Sequence, residues 1–124
     1  MSFLPMFRHW KNTVDYDSGD VIYTKGEPAD TLFVVLEGEV ELSLHDRSLS
    51  VEGKGSLIGE MALLDSATRN STATARGAVK LAKLDRKEFQ KAIAENAEFA
   101  LRAMTVLANR LRAVDQFIVA KCDS

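Results

Sequence analysis

GSLIGEMALLDSATRNST, residues 55–72, is the stretch on which the fold turns. Two glycines, Gly55 and Gly59, lead to a single acid, Glu60, and an apolar run follows. Nine positions beyond Glu60 stands a lone arginine, Arg69, with three small hydrogen-bonding side chains, Asn70, Ser71 and Thr72, directly after it. A glycine turn that passes into a helical turn leaves backbone amides unpaired, here those of Glu60, Met61 and Ala62. They form an anion cradle, and Gly59 lets the backbone approach closely. Arg69 adds a fork of donors that matches phosphate oxygens.

Outward on the N-terminal side, the hydrophobic period is two from Thr13 to about Asp85. TLFVVLEGEVELSLHD, residues 31–46, holds two apolar runs separated by Glu37-Gly38-Glu39. The second alternates Val40, Leu42 and Leu44 against Glu41 and Ser43, which predicts a hairpin turning at Gly38. Further turn signals sit at Ser18-Gly19-Asp20, Lys25-Gly26-Glu27-Pro28, His45-Asp46-Arg47 and Glu52-Gly53-Lys54-Gly55. Two more strands are expected, Ser71 to Ala75 and Val79 to Leu84. Short strands punctuated this regularly point to an antiparallel sandwich or barrel.

After Asp85 the period becomes helical. Asp85-Arg86-Lys87-Glu88 resembles a capping box, with a short helix expected to about Glu95. Asn96 then reads as the cap of a second helix running to roughly Ala120. Ala100, Met104, Leu107, Leu111, Val114 and Ile118 alternate steps of four and three, as in a coiled-coil seam. A second stripe, Phe99, Ala103, Val106, Ala113 and Phe117, lies beside it, and Leu101 and Ala108 widen the first. This apolar arc exceeds what an ordinary surface helix buries. One stripe is therefore expected to pack on its own barrel and the other on a second copy; burial wholly within a monomer is the alternative. Arg110 interrupts the second stripe and calls for an anionic partner, because an unpaired buried charge is costly.

The bulk numbers bound the answer. The 124 residues suit one domain, and 27% charged residues with a net charge of −2 look ordinary and globular. Basic residues form no patch, which argues against nucleic acid as the main partner. One cysteine, Cys122, excludes an internal disulfide and suits a reducing cytoplasm. MSFLPMFRHWKN at the N-terminus is too short and interrupted for a membrane span or signal peptide. It reads as a short packed helix or arm using Phe3, Leu4, Phe7 and Trp10. A barrel oxygenase needs several histidines on neighbouring strands, whereas only His9 and His45 occur. Cluster or haem sensors lack their ligands too. An enzyme is not expected, nor a metal or a cofactor.

Glu60, acceptor-only when ionised, suits a sugar hydroxyl rather than a phosphate. One acid and one base held apart on the same loop therefore suit a ribose and its phosphate read together, and a single arginine suits a cyclic monoanion better than a free dianion. Gly59-Glu60-Met61-Ala62-Leu63-Leu64, then Arg69, then Thr72, resembles the phosphate-binding cassette of cyclic nucleotide-binding domains. The similarity extends through GDVIYTKGEPADTLFVVLEGEVEL and LANRLRAVD, from about Val14 to Ile118.

That resemblance implies a jelly-roll-like β-roll, a double-stranded β-helix over about residues 13–85. Flanking helices over about 86–120 complete a single domain spanning 1–124. It implies Glu60 on the ribose 2′-hydroxyl, Arg69 on the cyclic phosphate, the amides of Gly59, Met61 and Ala62 completing the cradle, and Ile58 against the base. Asn70, Ser71 and Thr72 add donors. The last helix would act as a lid, with Arg110 toward the ribose glutamate and Val114 and Asp115 near the purine. Asn70 stands where the family has serine, threonine or alanine at a position that helps choose the purine, and Ser71 replaces a usual alanine. Val114 lacks a hydroxyl that some cAMP-specific relatives use. A cyclic nucleotide, cAMP slightly ahead of cGMP, is the expected ligand. The whole is expected to be a standalone cytoplasmic receptor acting on an effector protein. Direct DNA binding is not expected, because the chain ends before any helix-turn-helix, and a homodimer through the last helix is. The alternatives are an ion pair between Glu60 and Arg69 that merely pins the loop, and a ligand-independent interaction module on the same fold.

Overall fold

The computed structural model describes residues 3–60 and 68–109. A short helix α1 (Leu4–Phe7) precedes six strands, β1 (Thr13–Tyr16), β2 (Val21–Tyr23), β3 (Thr31–Leu44), β4 (Arg47–Glu52), β5 (Leu57–Ile58) and β6 (Thr72–Asp85). Helix α2 (Arg86–Glu95) follows, and residues 97–109 form the described part of a further helix, α3. All strand pairs are antiparallel, in the order β1-β6-β3-β4, with β2 on β6 and β5 on β3. This is a mostly β roll with flanking helices.

The structure corrects the strand count. The chain does not reverse at Gly38, nor do residues 71–84 split in two. β3 and β6 are both continuous, paired from Thr31 opposite Asp85 to Ser43 opposite Thr72. The ladder shifts register on either side of Glu37 and resumes on the same partner. Gly38 lies at φ 86°, and a Cβ there would sit 2.3 Å from the Ala78 carbonyl oxygen. The glycine thus serves a bulge where two backbones nearly touch, which bends the strand without ending it. The hairpin that does form joins β3 to β4 at the predicted His45-Asp46 turn, both residues being left-handed at φ 52° and 63°, the shape a tight hairpin needs.

Alternation across the sheet makes two cores. Leu32, Val34 and Leu36 of β3 face the helices and join Phe3, Phe7, Leu57, Leu84, Phe89 and Phe99. Phe33 and Val35 point the other way, into the roll, with Tyr23, Val40, Leu42, Ile58, Val79 and Leu81. The unbroken TLFVVL run is therefore apolar because both faces of this strand are covered.

The helical predictions hold where they are described. Asp85 Oδ1 accepts from the Glu88 amide at 2.7 Å, and Glu88 Oε1 accepts from the Asp85 amide at 3.0 Å, the reciprocal cap at the start of α2. Asn96 Oδ1 accepts from the Phe99 amide at 3.0 Å and opens α3. Phe99 sits edge-on to Phe3, Phe7 and Phe89, with ring centroids 5.4, 5.7 and 5.7 Å away. Phe99 and Ala103 are buried and Val106 packs against the same cluster, so the second stripe covers the roll. Of the first stripe, Met104 is 56% exposed while Ala100 and Leu107 are half-buried, and Leu101 beside it is 61% exposed. The α1 segment packs as expected, with Phe3 and Phe7 in the core and Trp10 Nε1 donating to the Lys83 carbonyl at 2.8 Å. Leu111, Ala113, Phe117, Ile118 and Cys122 lie outside the described residues.

Candidate functional site

The site grows from two crossings of backbone. β5 pairs with β3, placing Ile58 opposite Phe33 and burying it inside the roll. The chain then leaves the sheet at Gly59, which lies at φ 77°, a shape that other residues reach only with strain. Glu60 follows and is only 1% exposed. On the other side, Arg69 is stitched to the Gly26 turn. Its amide donates to the Glu27 carbonyl at 2.9 Å, and its carbonyl accepts from the Gly26 amide at 2.7 Å. Thr72 Oγ1 accepts from the Lys25 amide at 3.1 Å, and Pro28 bridges Thr68. The Lys25-Gly26-Glu27-Pro28 turn read from the sequence is thus the clamp that holds the backbone of Arg69.

The Arg69 side chain points inward and is 6% exposed. Its Nη1 donates to the Thr31 carbonyl at 2.8 Å and to the Gly59 carbonyl at 3.3 Å, and its Nη2 donates to Thr31 Oγ1 at 3.2 Å. Its Cζ lies 4.3 Å from the centre of the Tyr23 ring and 5.7 Å from that of Phe33. Burial pushes the guanidinium pKa below its ordinary value; Tyr23, Asp30, Glu27 and Glu60, in falling order, hold it up. Tyr16 is pushed up by its own burial, against the opposing field of Arg69. A cation is therefore held in a poorly solvated place, against two ring faces and two backbone carbonyls, with Glu60 the weakest of the four ionisable groups that favour its charge.

The structure brings together Ile58, Gly59, Glu60, Arg69, Ser71 and Thr72 at one end of the roll. Ser71 is buried, Thr72 half-buried and Asn70 exposed. Met61 and Ala62 lie outside the described residues, as do the lid candidates Arg110, Val114 and Asp115. Sequence reasoning missed Tyr23, Thr31 and Phe33. Each reaches Arg69 across the roll, and nothing in their own neighbourhoods marks them. Among the described residues no group of three or more His, Cys, Asp and Glu side chains could hold a metal ion. His9 and His45 are exposed, and no described helix is long and apolar enough to cross a membrane.

Comparison with known proteins agrees with this geometry. The family model for the cyclic nucleotide-binding domain matches residues 13–96. A CRP-like cAMP-activated global transcriptional regulator of Mycobacterium tuberculosis is 30% identical over 104 residues, covering 80% of this chain and 46% of that protein. A cGMP-dependent protein kinase of Caenorhabditis briggsae is 40% identical over 73 residues, 59% of this chain and 10% of the kinase. The chain thus spans less than half the length of these curated relatives. Among solved structures, the catabolite activator protein of Thermus thermophilus superposes with a TM-score of 0.75 at 29% identity, over 90% of this chain and 55% of that one. A cAMP-bound PfPKA-R chain gives 0.74 at 25% identity, over 86% of this chain and 36% of that one. A buried acid and a buried arginine at one end of a β-roll, on a sequence matched over most of its strands, make this chain a member of the cyclic nucleotide-binding domain family.

Proposed function

We propose that this chain is a non-catalytic receptor for a purine 3′,5′-cyclic nucleotide, with cAMP slightly ahead of cGMP. The observation that carries the reading is the state of Arg69. A guanidinium has five N–H donors. Three meet Thr31 and Gly59, which leaves two uncommitted among the described residues. A buried cation with donors to spare is a seat for an anion. In this reading Arg69 takes the ring phosphate and Glu60 the ribose 2′-hydroxyl. The amides of Gly59, Met61 and Ala62 complete the cradle, Ile58 walls the base side, and Asn70, Ser71 and Thr72 add donors at its edge. Arg110, Val114 and Asp115 would close over the purine.

The test is thermal unfolding with cAMP, cGMP and 5′-AMP. A ligand at a hundred times its dissociation constant stabilises the native state by ~2.7 kcal/mol. For a domain this size that raises the midpoint by roughly 10 °C. The cyclic nucleotides should produce that shift and 5′-AMP should not. No shift with either cyclic nucleotide overturns the receptor and favours a ligand-independent interaction module.

Output would run through α3. A ligand that binds one position of this helix better shifts the population toward it, and the exposed Met104 and Leu101 offer an apolar face through which an effector or a second copy could sense the change. A homodimer through this face is the specific expectation. Sedimentation equilibrium of the wild type should give a dimer at high micromolar concentration, and Met104→Glu a monomer that still unfolds cooperatively. A strictly monomeric wild type removes the dimer and leaves the binding site untouched.

A further inference from the structure

The hydrogen bonds of Arg69 decide which edge of its guanidinium remains for a ligand. Both Nη1 hydrogens are spent, on the Thr31 and Gly59 carbonyls, and one Nη2 hydrogen is spent on Thr31 Oγ1. Since Nη1 and Nη2 together grip Thr31, the hydrogen of Nη2 in use is the one facing Nη1. What remains is Nε–H and the other Nη2–H, two parallel donors on one edge, the fork that matches two oxygens of a phosphate.

Thr31 grips one edge of the guanidinium and the tie to Gly59 is long at 3.3 Å, so the plane can still tip about the gripped edge. The Tyr23 ring closes off this freedom. Arg69 Cζ lies 4.3 Å from its centre, well inside the range in which a cation is drawn to a ring face, and the ring is itself buried. Phe33 lies beside it, nearly parallel at 14° with centroids 6.4 Å apart and its own centre 5.7 Å from the same Cζ. Arg69 and Tyr23 meet at Gly59: a Cβ placed there would lie 2.8 Å from Arg69 Nη1 and 3.6 Å from Tyr23 Cε2. The glycine therefore leaves room for the stack as well as for the turn.

We infer that Tyr23 is a positioning residue for phosphate recognition, the face of its ring orienting Arg69 so that the Nε/Nη2 edge is presented to the ligand. This rests on the cyclic-nucleotide reading above. Tyr23 acts through Arg69, so removing its ring and removing its hydroxyl have different consequences. The ring is the active part.

The experiment measures cAMP and cGMP affinity for the wild type, Tyr23→Phe and Tyr23→Leu, and repeats the last change in an Arg69→Lys background. Tyr23→Phe should stay within about threefold of wild type, and Tyr23→Leu should lose about tenfold or more. In the Arg69→Lys background the leucine change should cost less than about twofold, since the planar fork that the ring orients has gone. Should Tyr23→Leu fold poorly, the ligand-free wild type and Tyr23→Phe still report through NMR. The Arg69 Nε–H proton should resonate upfield of free arginine in both, shielded by the ring face. Wild-type binding with an undiminished Tyr23→Leu, an equal loss in both backgrounds, or an unshifted Arg69 signal overturns the inference alone. A wild type that binds neither cyclic nucleotide overturns the receptor reading, and this inference with it.

Discussion

Arg69→Ala is expected to weaken cyclic-nucleotide binding by about 2–5 kcal/mol, a loss of roughly thirtyfold or more in affinity. The size follows from burial. Water cannot replace the missing charge at a side chain only 6% exposed, so the ring phosphate would enter a site lined by the Thr31 and Gly59 carbonyls with no cation to meet it. Arg69→Lys should fall between, because an ammonium supplies charge without a planar fork. Without ligand, alanine removes a cation that the fold desolvates but also strips donors from two carbonyls, so the effects on stability oppose each other. The ligand-free protein should still unfold cooperatively while the ligand-dependent shift disappears. Calorimetric titration decides: affinity within about threefold of wild type would remove the assigned role.

Gly38→Ala destabilises the fold by about 2–5 kcal/mol. Part of this is the left-handed backbone at φ 86°, worth about 1–2 kcal/mol for a residue with a Cβ. The larger part is contact with the Ala78 carbonyl oxygen at 2.3 Å, a backbone atom that cannot swing aside without breaking the β3–β6 ladder. Gly19 and Gly26 supply the control. Both are left-handed, at φ 89° and 92°, yet a Cβ at either meets nothing within 4 Å. Gly19→Ala and Gly26→Ala should therefore cost only the conformational share, and urea unfolding of the three variants separates the two effects. Equal losses at Gly38 and Gly26 would show that the close approach carries no energy.

Much of this was legible in the chain because the signals are local. The Asp85/Glu88 cap, the Asn96 start of α3 and the Gly59-Glu60 corner each depend on residues within a few positions, and each is found where the sequence puts it. Gly38 shows where local reading stops. A glycine between two alternating runs announces a change of backbone direction, but a bulge and a hairpin demand the same residue. The partner strand, forty positions away, decides between them. Arg69 tells the same story from the side of the site. Its type and its spacing from Glu60 marked it as an anion ligand. The Tyr23 face, the Thr31 carbonyl and the Thr31 hydroxyl that orient it come from strands brought near only by the closed roll.

The Phe99 box gives α3 a mechanical property. Its walls come from Phe3 and Phe7 near the chain's start and from Phe89 on α2. Any swing of α3 about Asn96 must draw this ring out of a socket built by two other segments, and refilling the void obliges those segments to follow. The three helices are geared to one another through this one ring, so a displacement of α3 would be passed on to α1 and α2.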